Sequence, residues 1–403
     1  MDETRVKLLR RNKRLIFWTR LFIETKPLNV VLTFFYLAYG LSLSQVFYLG
    51  MVWSLTSLIF EIPTGYLADV VGRKRTLTLG VLLYISGIII FLISHSFLGF
   101  ALAVILQSTA FSCFSGIDSA FIYDSLKEAG EESAMVRVSG KYFSSAQFAK
   151  IFMPLIAAFI AKDLTILQFH TLLFIDLFFS SISLIVSLFL VEPKRNYEGR
   201  QSPIQIFGKS LEVFRKDGVA RKLAFNKVLF YIGCLLFWRI YQPVLKVAGI
   251  SVVELGYLYA VMQIGIFSLL WFSERVKNTF GLMNFLYTPI ILSLLAIVGF
   301  LIFKDKWVLY ILAWFPLTFG SARDPIFVHQ INLRIESFNR ATTNSIFNFL
   351  RGVFDVPLNL FTGILVGINI NFVYLMIIFV YLACLSIFAI KPKDLMVAKD
   401  EKL

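Results

Sequence analysis

The chain has 403 residues, 58% of them apolar and only 16% charged, and its mean hydropathy is +0.76. That composition excludes a soluble globular domain, because apolar runs of about 20 residues recur along it and no aqueous core needs them. The formal net charge of +14 calls for no nucleic-acid partner, since cations flanking membrane spans account for it.

Inside a bilayer each segment must satisfy its own backbone polar groups, so runs of this length are helices rather than alternating barrel strands. The predicted spans, in chain order, are 16–38, 45–68, 76–94, 98–125, 142–161, 166–191, 223–247, 252–274, 281–303, 307–331, 342–366 and 369–390. The fold class is all-α, a multi-pass membrane protein with twelve transmembrane helices. Cations gather at the N-terminus (Arg5, Lys7, Arg10, Arg11, Lys13, Arg14) and in the even-numbered turns (Arg73, Lys74 and Arg75; Lys127, Arg137 and Lys141; Arg275 and Lys277; Arg334 and Arg340). The opposite turns are cation-poor, so both termini are expected in the cytoplasm. No cleavable leader is expected, and the first helix serves as its own insertion signal.

Cys113, Cys234 and Cys384 fall singly within spans and read as packing residues, while His95, His170 and His329 are scattered in sequence. Neither set suggests a metal site, and no nucleophile–base constellation suggests an enzyme.

Between the second and third spans lies Gly65–Arg75, GYLADVVGRKR. Gly65 permits close helix contact, Gly72 permits a tight turn, and Asp69 offers a carboxylate to a helix N-terminus or to Arg73. Internal repetition comes next. GLSLSQVFYL from Gly40 returns as GISVVELGYL from Gly249, SGIDSAF from Ser115 returns as SARDPIF from Ser321, and Pro154 has a counterpart in Pro357. Landmarks repeated in the same order argue for two pseudo-symmetric halves of six helices, residues 1–191 and 223–403, joined by a cytoplasmic linker, 192–222. Within the linker Ile204, Phe207, Leu211 and Phe214 recur at helical spacing, which suits either a short interfacial helix or a solvated connector.

GYLADVVGRKR resembles the signature of the major facilitator superfamily, with Gly65, Asp69, Gly72, Arg73, Lys74 and Arg75 in its places, and the twelve-span layout extends the resemblance over most of the chain. The resemblance implies alternating access without a cofactor, driven by a proton gradient. It also implies a latch in which Asp69 and Arg73 act with an acid at the cytoplasmic end of helix four, where Asp124 stands. In that family helices one, four, seven and ten surround the cavity, two, five, eight and eleven flank them, and the third helix of each triplet faces lipid.

Buried charge fits this partition, because the third, ninth and twelfth spans contain none. Candidate pathway residues are Glu24, Lys26, Glu61, Asp118, Lys150, Arg239, Arg323, Asp324, Arg351 and Asp355, since lipid rejects charges that neither pair nor face water. Arg20 and Lys227, near helix starts, read as snorkelling or structural. Asp176 in the sixth helix falls outside the partition and is expected to pair across to a neighbouring helix. Arg351 and Asp355, four apart, share a face and can neutralise each other. Glu24, Glu61, Asp118 and Asp355 are the candidate proton carriers.

In helix five AKIFMPLIAA resembles the run found in proton-coupled exporters, with Ala149, Pro154, Ala157 and Ala158 as packing residues, although no glycine is present and Lys150 intrudes. An arginine in the outer half of helix four is missing. The first expectation is therefore a drug/proton antiporter-like exporter of a small amphipathic or drug-like compound. The alternative is an importer or facilitator of a small anionic metabolite, favoured by the excess of cations along the pathway. A membrane enzyme or receptor on a carrier fold is the remotest reading. Expected partners are the lipid bilayer, a small-molecule substrate and protons, with a monomer in the plasma membrane. Abundant Phe, Ile and Lys point to a bacterial source.

Overall fold

The computed structural model describes residues 3–194, 217–320, 322–332 and 342–395; the predicted linker helix over Ile204–Phe214 lies outside them. Every regular element among the described residues is helical: α1 (Glu3–Ile23), α2 (Leu32–Ala38), α3 (Leu43–Val70), α4 (Arg73–Ile93), α5 (Phe97–Phe114), α6 (Ile117–Glu128), α7 (Met135–Ile160), α8 (Ile166–Leu188), α9 (Gly218–Val247), α10 (Val252–Trp271), α11 (Ser273–Phe280), α12 (Leu282–Ile302), α13 (Lys306–Phe319), α14 (Asp324–Asn332), α15 (Thr342–Ile368) and α16 (Asn371–Leu385), with short 3-10 turns between some of them. Among the described residues 10 stretches are long and apolar enough to cross a membrane, and α13 and α16 are shorter apolar helices.

Three of the predicted spans are broken. The first is interrupted after α1 by Glu24, Thr25 and Lys26, followed by a 3-10 turn at Pro27–Val31. Pro27 has no N–H to give the helix and pushes the preceding residue out of the helical region, and Lys26 accordingly sits at φ −112°, ψ 76°. The fourth breaks at Ser115–Gly116, where Gly116 takes φ 74°. The tenth breaks between Phe319 and Asp324. The fourth and tenth breaks fall on SGIDSAF and SARDPIF, so the repeat seen in sequence is a repeat of interrupted helices.

The other repeat has a physical basis as well. Gly40 and Gly249 both have positive φ, 80° and 97°. Each precedes a serine that opens a helix with a reciprocal cap: Ser42 exchanges hydrogen bonds with Gln45, and Ser251 with Glu254. Pro154 and Pro357 both lie inside helices, α7 and α15.

Two compact units emerge, one of Met1–Leu41 with Val52–Pro203, the other of Ser42–Met51 with Ile204–Leu403. In the first, Phe35, Phe91, Phe100 and Phe169 pack ring to ring and pin α2, α4, α5 and α8 together, with centroids 5.4–6.0 Å apart. In the second, the Tyr381 ring lies so close to Gly233 of α9 that a methyl group there would overlap it, while Phe237, Phe300 and Tyr374 join α9, α12 and α16.

An asparagine anchors the lead helix of each unit. Asn12 of α1 exchanges hydrogen bonds with the backbone of Val191 and donates to Ser125. Asn226 of α9 donates to the carbonyls of Cys384 and Phe388. These are buried side chains with satisfied partners, and sequence spacing alone did not single them out.

Candidate functional site

The irregular backbone after α1 gathers the densest charge in the first unit. Glu24 is buried, 7% exposed, and three cations reach its carboxylate: Arg20 Nη2 at 3.0 Å, Lys150 Nζ at 3.3 Å and Lys26 Nζ at 3.7 Å. Arg20 lies one helical turn before Glu24, Lys26 enters through the Pro27 break, and Lys150 projects from α7 beside the buried Ala149. The lysine that intrudes into the helix-five run is therefore a member of the site.

Two tyrosines extend the cluster. The Arg20 guanidinium stands 5.5 Å from the centre of the Tyr142 ring, and the Tyr142 hydroxyl donates to Asp118 Oδ2 at 2.7 Å. Asp118 also accepts from the Ser119 amide in the first turn of α6. On the other side, Lys26 Nζ lies 5.0 Å from the centre of the Tyr84 ring, and the Tyr84 hydroxyl donates to Asp176 Oδ2 at 2.8 Å. Arg20 thus belongs to the cluster instead of snorkelling, and Asp176 contacts the neighbouring α4, from a helix that the charge partition had set aside. Sequence reasoning missed Tyr84 and Tyr142; Arg20 was findable from its spacing to Glu24.

Around the signature loop, Arg73 and Asp124 form a tight buried ion pair, and Arg73 also donates to the Ala120 carbonyl. At the N-terminus of α4, Glu192 accepts from the amides of Arg73 and Lys74 at 2.8 Å each. Asp69 is half-buried in the last turn of α3, Lys74 is half-buried and Arg75 exposed. Gly72 has φ 127° and needs its glycine, whereas a methyl group at Gly65 would meet no atom, so close helix contact is not what Gly65 provides. Glu61 accepts from Ser115 at the break of the fourth span, 2.8 Å away. Pro154, Ala157 and Ala158 are buried.

The second unit holds separate pairs. Asp355 meets Arg239 at 3.5 Å, Arg239 also donating to the Leu235 carbonyl. Arg351, expected to neutralise Asp355, has its guanidinium 5.9 Å from the Tyr231 ring centre instead. The α9 helix brings Arg239 closer to Asp355 than the shared face of α15 brings Arg351. Asp324 pairs with Lys227 at 3.4 Å. Arg323, 2% exposed, donates to Asn226 Oδ1 and the Leu286 carbonyl and stacks its guanidinium 4.3 Å from the Phe230 ring centre. These contacts bolt the turn before α14 to α9 and α12. Gly50 packs so closely on the Arg239 guanidinium that a methyl group there would displace it.

The sequence profile of the Major Facilitator Superfamily matches residues 19–356. The chain belongs to that superfamily. Curated relatives include an uncharacterised transporter of Buchnera aphidicola subsp. Schizaphis graminum, 23% identical over 49% of this chain and 48% of that protein, and another of Buchnera aphidicola subsp. Acyrthosiphon pisum, 24% identical over 45% and 43%. The matched stretch spans about half the length of each relative. Solved structures with the same fold include the nucleoside transporter NupG (13% identity, 95% of this chain and 100% of that one, TM-score 0.75), a bacterial homologue of the lysosomal transporter Spinster (14%, 95% and 95%, 0.68) and a D-xylose–proton symporter (14%, 100% and 100%, 0.67). Membership makes it a multi-pass membrane protein of a transporter superfamily, whose members work without a bound cofactor.

Proposed function

We propose that this transporter carries a small anion together with a proton, and that Glu24 is the group the anion displaces. The observation behind this reading is the convergence of Arg20, Lys26 and Lys150 on one carboxylate. If Glu24 is ionised, it occupies the cations and competes with an anionic cargo. If Glu24 takes a proton, three half-buried cations lose their buried counter-charge, a situation costing several kcal/mol unless another anion arrives. Proton binding and anion binding therefore favour each other, and such positive linkage means that the two travel together. Proton symport of an anionic metabolite follows, which is the import alternative; an amphipathic drug without an acid group gives the cations nothing. The drug/proton antiporter reading needs the opposite linkage, competition between proton and cargo.

In this reading Lys150 and Arg20 hold the cargo with Lys26 beside them as a mobile counter-charge, Asp118 orients Tyr142 beneath Arg20, and the Arg239–Asp355 pair serves the second half. Asp69, Arg73 and Asp124 keep the latch role that the family signature suggests, and the cation-rich turns support cytoplasmic termini in the plasma membrane. Proteoliposomes containing an internal pH-sensitive dye test the reading directly. Adding a panel of carboxylates and phosphate esters outside should acidify the lumen for at least one compound, well above protein-free liposomes. Alkalinisation as a compound enters would restore the exporter.

A further inference from the structure

Asp176 is a buried acid that the exchange at Glu24 leaves without a task. It is 3% exposed in the middle of α8, and its contacts are two neutral hydroxyls: Tyr84 donates to Oδ2 at 2.8 Å and Ser180 to Oδ1 at 3.3 Å. Four other span acids, Glu24, Asp124, Asp324 and Asp355, each meet a cation, Asp118 takes an amide at a helix N-terminus, and Glu61 accepts from the Ser115 hydroxyl at the break of the fourth span. An ionised carboxylate with only hydroxyl partners, far from water, is costly, whereas a protonated one is satisfied by the same hydrogen bonds.

From the geometry we infer that Asp176 stores a proton for the Glu24 site, with Lys26 as the moving charge between the two acids. This rests on the proton-coupled reading above. Lys26 Nζ stands 3.7 Å from Glu24 Oε2 and 5.0 Å from the centre of the Tyr84 ring, whose hydroxyl is on Asp176. With Lys26 at Glu24, Asp176 keeps its proton and Glu24 is the anion. When Lys26 swings along the Tyr84 ring to Asp176, the Asp176 O–H bond breaks, a Glu24 O–H bond forms, and one proton has moved with no change in total charge. Glu24, now neutral, leaves Arg20 and Lys150 to the incoming anion. The charged and titratable groups facing Asp176 from the packed elements are Lys26 and Glu24 beyond the end of α1 and Tyr84 on α4; Arg20 and Lys150 stand behind them on Glu24, and the Tyr39–His170 hydrogen bond joins α2 to α8 further along.

Infrared spectroscopy of the purified, reconstituted full chain tests this without any cargo. The expected result is a carbonyl-stretch band of a protonated carboxyl in neutral buffer, lost in Asp176→Asn and retained in Glu24→Gln. Asp176→Glu should restore a band, which excludes simple misfolding of the asparagine variant. Tyr84→Phe should keep the band and move it to higher frequency, because the carbonyl loses its donor. A band that survives Asp176→Asn, or no band in the unaltered protein from acid to neutral buffer, overturns the inference. A dye assay that fails while the band behaves as described would count against anion symport and leave the assignment of Asp176 intact.

Discussion

The first unit concentrates charge and the second distributes it. Around Glu24 three cations share one carboxylate and two tyrosines carry the contact onward to Asp118 and Asp176; among the described residues of the second unit three span cations lie apart with different partners, Arg239 with Asp355, Lys227 with Asp324, Arg323 with carbonyl oxygens and aromatic faces. A shared carboxylate makes every member sensitive to its protonation, whereas separate pairs can be lost one at a time. The difference originates in backbone. Pro27 unwinds the first span beside Glu24, while α9 runs unbroken from Gly218 to Val247 past Arg239.

Substitutions can break that contrast, and the largest effect is expected at its centre. Glu24→Gln strands three cations and should cost about 3–5 kcal/mol, read as a fall in unfolding temperature of the detergent-solubilised protein. Next, Arg323→Met should cost about 3 kcal/mol, since it orphans Asn226 Oδ1 in a buried site and removes the contact to the Leu286 carbonyl. Asp355→Asn removes the counter-charge of Arg239, which keeps the Leu235 carbonyl, and should cost about 2 kcal/mol. Equal losses for Glu24→Gln and Asp355→Asn would erase the distinction between the units. Gly50→Ala should cost about 1 kcal/mol or less, because the displaced group is the end of a flexible arginine. The smallest effect concerns Glu131, outside the spans, which Lys13 and Arg10 hold below the usual carboxylate range chiefly through the Lys13 hydrogen bond. Its stabilisation is present above the ordinary glutamate range and is lost as pH falls through the depressed value; Glu131→Gln should flatten that part of the acid unfolding profile by under about 1 kcal/mol.

Much of this architecture was legible. Apolar run length predicted the helices, and the repeats beginning at Gly40, Gly249, Ser115 and Ser321 argued for two halves; the positive-φ turns at Gly40 and Gly249 and the interrupted fourth and tenth spans are what recurs there. Glycine and serine caps act locally, so they leave a mark in sequence. The site was legible in part: Glu24, Lys26, Lys150 and Asp118 stood out because charge is rare in lipid. Partners were not legible, since which helices face one another depends on packing. Arg351 was matched to Asp355 along one helix, although the ion pair crosses to Arg239 on another. Tyr84 and Tyr142 carry no charge and were invisible among so many aromatics. The break at Pro27 was readable in principle, because a proline after a charged residue inside a span is a place where the helix cannot continue.

The central claim is that Glu24 and an anionic cargo compete for the same cations. Thermal-shift titration of unaltered and Glu24→Gln protein with a panel of carboxylates, phosphate esters, neutral sugars and nucleosides, and lipophilic cations measures it most directly. The account predicts that an anion stabilises the protein, that it does so more strongly at acid pH, and that Glu24→Gln binds it more tightly and with no pH dependence. Stabilisation by lipophilic cations alone, or an anion whose binding is abolished by Glu24→Gln, would contradict it.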